Sequence, residues 1–243
     1  MGKIGLGYGS EWHLMRFLGR HRNYFNNEIL KVFKNDGVVG IKGIEWYDFN
    51  FDPNKRYKDA EIMGMDFLPK SAIEKWQNYW PDPLAGNIYS NRKVPNWDAV
   101  GILRLNNKDE YILVEAKSHK TEFTKGRPCG AGKKSRIKIQ DAIIKTQSAI
   151  DINGTVEWLD KYYQVANRIA ALNFLQNVVG FPARLVYVLF LGDKFPRGRV
   201  SCPKTTGEWE NLFTDCYYTL RVPRRHNLSD RIHRVFLHVG GGT

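Results

Sequence analysis

Cysteine is scarce in this chain. Cys129, Cys202 and Cys216 stand far apart, with no C-x-x-C pair. An odd, scattered set argues against a disulfide framework or a cysteine-based zinc site and predicts free thiols in a reducing, cytoplasmic setting. Long hydrophobic runs are missing too. Stretches such as "LVYVLFL" (185–191) fall far short of the roughly 20 apolar residues that a membrane span needs, so no membrane partner is expected. The opening residues, "MGKIGLGYGSEW", lack the apolar stretch and cleavage site of a signal peptide. Leu6 stands where a myristoylation signal wants Ser or Thr. There is no internal repeat and no low-complexity linker. Acidic residues are in deficit: 25 Asp and Glu face 37 Lys and Arg, a net charge of +12 and a pI near 9.6. That balance favours a polyanionic partner through counterion release.

What is present suits one soluble domain spanning residues 1–243. Hydrophobic residues make up 42% and charged ones 26%, enough to build a sizeable core. Ser10 is positioned to cap a helix, "EWHLMRFLGRH", and "NNEILKVFK" continues helical. Residues 37–51 read as strand or hairpin, 69–80 as a short helix, and 81–95 as a Pro/Gly/Asn-rich loop. Residues 36–95 read as an insertion or elaboration, and 216–243 as a C-terminal extension. Beyond residue 119, a loop (125–134) precedes a helix capped by Ser135 (135–150), and a longer helix covers 156–179. A buried strand follows at 183–193, then a helix near 205–213, a strand at 216–222 and a basic helix at 228–239. Helices around a mixed sheet make the class α/β.

The chemistry concentrates at 94–119. Two apolar runs flank the turn-forming "NNKDE", which predicts an antiparallel hairpin. Pairing Leu105 with Glu110 places Asp98 opposite Lys117 and Val100 opposite Glu115. Side chains alternate along a strand, so Asp98, Glu115 and Lys117 then share one face. Charges at the end of apolar strands cost several kcal/mol unless paired or bound to metal. The hard oxygens of Asp98 and Glu115, with the Ala116 backbone carbonyl, suit Mg²⁺ or Mn²⁺. Lys117 can orient a water or stabilise charge building on a phosphate.

"PNWD" (95–98) followed by "EAK" (115–117) resembles the PD-(D/E)xK signature of the restriction-endonuclease-like nuclease superfamily. Pro95 is displaced, because Trp97 directly precedes Asp98. The resemblance implies an α/β core with a central mixed sheet and a hydrolase that cleaves phosphodiester bonds with a divalent metal. Asp98, Glu115 and Lys117 would be catalytic, and nucleic acid, DNA before RNA, would be the partner. It also implies an acid in the first core helix near the metal, for which Glu11 is the candidate and Glu28 its rival. A site-facing Gln after the E-x-K strand would be Gln140. On the long helix Gln164, Asn167 and Arg168 cluster at helical spacing, and Gln164 and Arg168 are supporting candidates.

Phosphate backbone is expected on a basic segment. From Lys117 to Lys138 eight basic residues meet one acid, Glu122. Lys120, Lys125, Arg127, Lys133, Lys134, Arg136 and Lys138 are the candidates there, with Arg224 and Arg225 near the C-terminus. The alternative reading is a non-cleaving nucleic-acid-binding protein on the same fold.

Overall fold

The computed structural model describes residues 7–47, 62–82, 94–124, 128–152, 154, 156–196 and 200–241. In chain order come α1 (Ser10–Gly19), α2 (Arg22–Asn35), β1 (Ile41–Trp46), β2 (Ile62–Met63), α3 (Lys70–Tyr79), β3 (Asn96–Trp97), β4 (Ala99–Leu105) and β5 (Glu110–Lys117). Then follow α4 (Lys120–Thr124), α5 (Lys133–Ala149), α6 (Tyr163–Asn173), β6 (Ala183–Leu191), α7 (Thr206–Leu220) and β7 (Ile232–His238). Five strands form one mixed sheet in the order β1-β4-β5-β6-β7. The first three run antiparallel, and β6 and β7 continue parallel to β5. A parallel step needs a long crossover, which α4 to α6 supply. β2 and β3 pair as a separate ribbon.

Helices cover both faces, so the α/β expectation holds. Leu14, Phe17, Phe25, Ile29 and Phe33 of α1 and α2 pack on Ile112, Val114 and Ala116 of β5. The opposite face meets α3, α5, α6 and α7 around Leu113, Leu185 and Leu189. Every residue of β6 is buried, as expected of a central strand covered on both sides. The segments 36–95 and 216–243 each contribute a strand to the sheet, β1 and β7.

Several sequence expectations are corrected. Residues 216–222 do not form a strand; through Leu220 they complete α7, because Trp209, Phe213, Cys216 and Leu220 fall on one buried helical stripe. Residues 228–239 are not a helix. A single 3₁₀ turn (Ser229–Arg231) leads into β7, where His233, Val235 and Leu237 alternate inward; the period is 2. The helix expected over 156–179 starts only at Tyr163, because Tyr162 is left-handed at φ 55°, and it ends as a π-turn at Phe174–Val178. α5 begins at Lys133, two residues before Ser135, with Gly132 as its N-cap. Gly9, not Ser10, is the N-cap of α1.

β4 lies close against its edge neighbour. A Cβ on Gly101 would stand 2.8 Å from the Trp46 ring and 2.9 Å from the Glu45 carbonyl oxygen. Backbone on one side and a buried indole on the other leave nowhere to yield. Gly101→Ala should therefore lower stability by about 1–3 kcal/mol, as overpacked cores do, seen as a lower urea midpoint. An unchanged midpoint would mean that β1 can move off β4.

Candidate functional site

The hairpin forms, with its register shifted by two residues. Leu103, not Leu105, faces Glu110, and Val100 faces Leu113 rather than Glu115. Asp98 is therefore not opposite Lys117. Arg104 and Leu105 keep their pairing with β1 on the other edge of β4, while Asp109 folds back to accept from the Leu105 N–H, which lengthens the turn. A shift of two preserves the alternation along β5. Val114 and Ala116 pack toward α1 and α2, so Glu115 and Lys117 project to the other face, under α6.

Asp98 reaches this end by a different route. Trp97 and Val100 both belong to the core on the α6 side, while Ala99 faces away. Strict alternation is therefore broken at Asp98–Ala99, where the chain bends between β3 and β4. β3 leaves the main sheet to pair with β2, and the Trp97 indole donates to the Gly64 carbonyl at 2.8 Å. Next to the bend, the Asp98 N–H donates to the Val114 carbonyl at 3.1 Å. Asp98 Oδ2 accepts from the Ala116 N–H at 2.6 Å. The bend thus turns the Asp98 carboxylate onto β5.

Glu115 is the centre of the site and is 2% exposed. The Lys117 ammonium donates to one of its oxygens. Arg168 Nε donates to the other at 2.6 Å. Arg168, 4% exposed, also donates to Asn167 Oδ1 at 2.9 Å and to the Asn96 carbonyl, with its guanidinium 4.7 Å above the Trp97 ring. Burial pushes the Glu115 carboxyl up, but Arg168 and Lys117 outweigh it and hold it below its ordinary value. Burial pulls Lys117 down, and the Glu115, Asp98 and Glu122 carboxylates reverse this and hold it above. Glu115 and Lys117 are therefore charged near neutral pH, in a place with almost no water.

Glu122, on α4, completes the group. It accepts from the Ser118 N–H at 2.7 Å and from Ser10 Oγ at 3.0 Å. His119 Nε2 lies 3.3 Å from it. Burial raises Glu122, yet hydrogen bonding from His119 and the nearby Lys117 bring it below its ordinary value. α1 therefore does cross this end of the sheet, but Ser10 makes the contact. Glu11 sits beside it, half-buried in the first turn of α1.

A narrow cleft, without room for a water molecule, lies against Glu115 and Lys117 and is walled by Glu122, Gln164 and Tyr187. Gln164 and Arg168 are thus brought to the site as expected. Gln140 is half-buried on α5 and does not line the cleft; Gln147, farther along, donates to the Val156 carbonyl at 2.6 Å instead. Sequence reasoning missed Tyr187 and Glu122 as site residues. Tyr187 bears the one polar side-chain atom in "LVYVLFL", a usable signal, but its place beside Glu115 depends on the parallel β5–β6 register.

The basic surface is partly engaged. Lys120 pairs with Glu208 at 2.8 Å, Arg136 lies 3.7 Å from Asp160, and Lys138 donates to the Gln77 carbonyl. Lys133, Lys134, Arg224 and Arg225 are exposed. Lys125 and Arg127 lie outside the described residues.

Among the described residues no group of three or more His, Cys, Asp or Glu forms a ready metal cage. Mg²⁺ does not require one, because it keeps several waters and binds through one or two carboxylates. Asp98 and Glu115 offer that donor type, and Ala116, whose carbonyl was the third expected donor, is the residue bonded to Asp98. Locally the Asp and Glu charges at 98, 115 and 122 exceed the Lys117 and Arg168 charges by one, in a chain that is strongly basic elsewhere. The donors and the charge fit a divalent cation, which would share Glu115 with Arg168. Comparison with family models, curated protein sequences and solved structures returned no match to this chain.

Removing one partner of a buried pair leaves the other uncompensated. Arg168→Met should therefore cost on the order of 3 kcal/mol, read from the urea midpoint. Adding Glu115→Gln should recover part of that loss. Simple additivity of the two substitutions would show that they are not coupled.

Proposed function

We propose that the protein is a divalent-metal-dependent nuclease that hydrolyses phosphodiester bonds in nucleic acid on a restriction-endonuclease-like core. The observation that carries this reading is the buried Glu115 carboxylate at the end of β5, held ionised by Lys117 and Arg168 beside Asp98. Buried ion clusters are poor stabilisers; apolar residues of similar volume often do as well or better. Perturbed charges gathered at a cleft are a signature of function. The order of elements supports the reading as well: helices, three antiparallel strands ending in E-x-K, a helical crossover, and a parallel strand.

Asp98 and Glu115 would hold the metal, whose bound form polarises a phosphate and acidifies water. Arg168 fixes the Glu115 carboxylate so that one edge is always directed to the strand end. Lys117 is the mobile cation. Its ammonium can leave Glu115 for a phosphate oxygen, stabilising the negative charge that grows during in-line attack. Gln164 supplies an uncharged donor and acceptor on the same wall. Lys133 and Lys134, in the first turn of α5, would attract backbone phosphates to this side of the sheet without reading bases.

Cleavage of labelled DNA and RNA should require Mg²⁺ or Mn²⁺ and stop with chelator. Asp98→Ala, Glu115→Ala and Lys117→Ala should each abolish it, with similar losses because the three act as a unit. Full activity in chelator, or in Asp98→Ala, would overturn the assignment. Binding without cleavage in any metal would favour the non-cleaving alternative. In a separate measurement, replacing Lys133, Lys134 and Arg136 with Ala should flatten the slope of log affinity against log salt by up to about 0.9 for each phosphate that is no longer neutralised. An unchanged slope would put the binding surface elsewhere.

A further inference from the structure

Tyr187 is 1% exposed, and its hydroxyl has no hydrogen-bond partner among the described residues. A buried hydroxyl left unsatisfied costs about 1–3 kcal/mol, and such a group calls for an explanation. The parallel register sets Tyr187 directly beside Glu115, and its ring stands edge-on to Phe213 with centroids 5.0 Å apart. It shares the cleft wall with Glu115, Lys117, Glu122 and Gln164. In the resting arrangement the cleft is too narrow to admit a water molecule, so solvent does not satisfy the hydroxyl. Phenylalanine would fill the same space among these aromatic neighbours without that cost.

Two of the walls, Lys117 and Gln164, are long side chains that can swing aside. When they turn toward a ligand, three donors face one small volume, the Tyr187 O–H, the Lys117 ammonium and the Gln164 amide, and a divalent cation on Glu115 would offset the negative charge that Glu115 and Glu122 bring to the same wall. A ligand that satisfies all three carries several acceptor oxygens on one centre. We propose that Tyr187 donates a hydrogen bond to a phosphate oxygen of the nucleic acid when the strand enters this cleft, making Tyr187 a substrate-binding residue. The inference rests on the nuclease reading for the identity of the ligand. The resting cleft is then a closed form, and its unmet hydroxyl is satisfied only by substrate.

The test is Tyr187→Phe, which removes one oxygen and keeps the ring. Binding of a short fluorescent DNA to the protein is measured by anisotropy in Ca²⁺, a hard cation that carboxylates hold, across a range of salt, with the DNA checked to be intact after each titration. A hydrogen bond to a charged acceptor predicts affinity about tenfold weaker or more at every salt concentration. The salt slope should be unchanged, because no charge is removed. The melting temperature of the free variant should equal or exceed that of the wild type. Equal affinity in variant and wild type would overturn the inference. So would a variant that melts well below the wild type, since the hydroxyl would then have a structural partner. If wild-type protein does not bind the DNA, this inference fails together with the function. If it binds but never cleaves in any metal, the nuclease reading fails, and the Tyr187 result is still decided by the affinity.

Discussion

One ionised carboxylate in a nearly dry place organises this end of the molecule. Glu115 is tolerable only because two cations reach it, one from its own strand and one from α6. Arg168 extends the constraint: the same guanidinium holds the Asn96 carbonyl and lies over Trp97. It thereby ties α6 to the ribbon of β2 and β3, as well as to the main sheet. Loss of that ion pair would loosen three pieces at once, which is why a local charge has structural consequences beyond its own contacts.

The second constraint is where β4 stops being part of the main sheet. Had the strand continued straight, strict alternation would have placed Asp98 by its position alone. Instead the chain bends to give Trp97 to the small ribbon, and the Asp98 carboxylate takes the Ala116 N–H. A side chain thus binds the neighbouring strand where the main ladder ends. The bend leaves Asp98 tied to β5, close enough for its charge to raise Lys117. Two carboxylates and a lysine converge here through a bend, a ladder and a helix-borne arginine, none of which could do it alone.

Much of this was legible in the residues. The hairpin and the charged end of "EYILVEAKSH" followed from alternation and from the cost of burying charge. The register was misjudged by two because the Asp109 side chain takes the Leu105 N–H and lengthens the turn. The C-terminal third was harder. "CYYTLRV" has strand-like residues, yet Trp209 and Phe213 upstream extend a helical stripe through Cys216 and Leu220. "RIHRVFLHV" suits helix or strand, and the open edge of β6 decides for strand. Tyr187 and Arg168 enter the site through tertiary placement, the first by a parallel register and the second by helix packing. Sequence spacing marks Arg168 only as one member of a polar cluster and leaves Tyr187 hidden in an apolar run.

The proposed chemistry turns on whether the strand end accepts a cation beside Glu115. Anomalous diffraction from a crystal soaked in Mn²⁺ measures this most directly. The predicted result is a peak shared by the Asp98 and Glu115 carboxylates at oxygen-ligand distance, about 2.1 Å for an ion of the size of Mg²⁺, with Lys117 displaced from its present partner. No peak at that position, with Glu115 still closed between Lys117 and Arg168 at saturating metal, would contradict it.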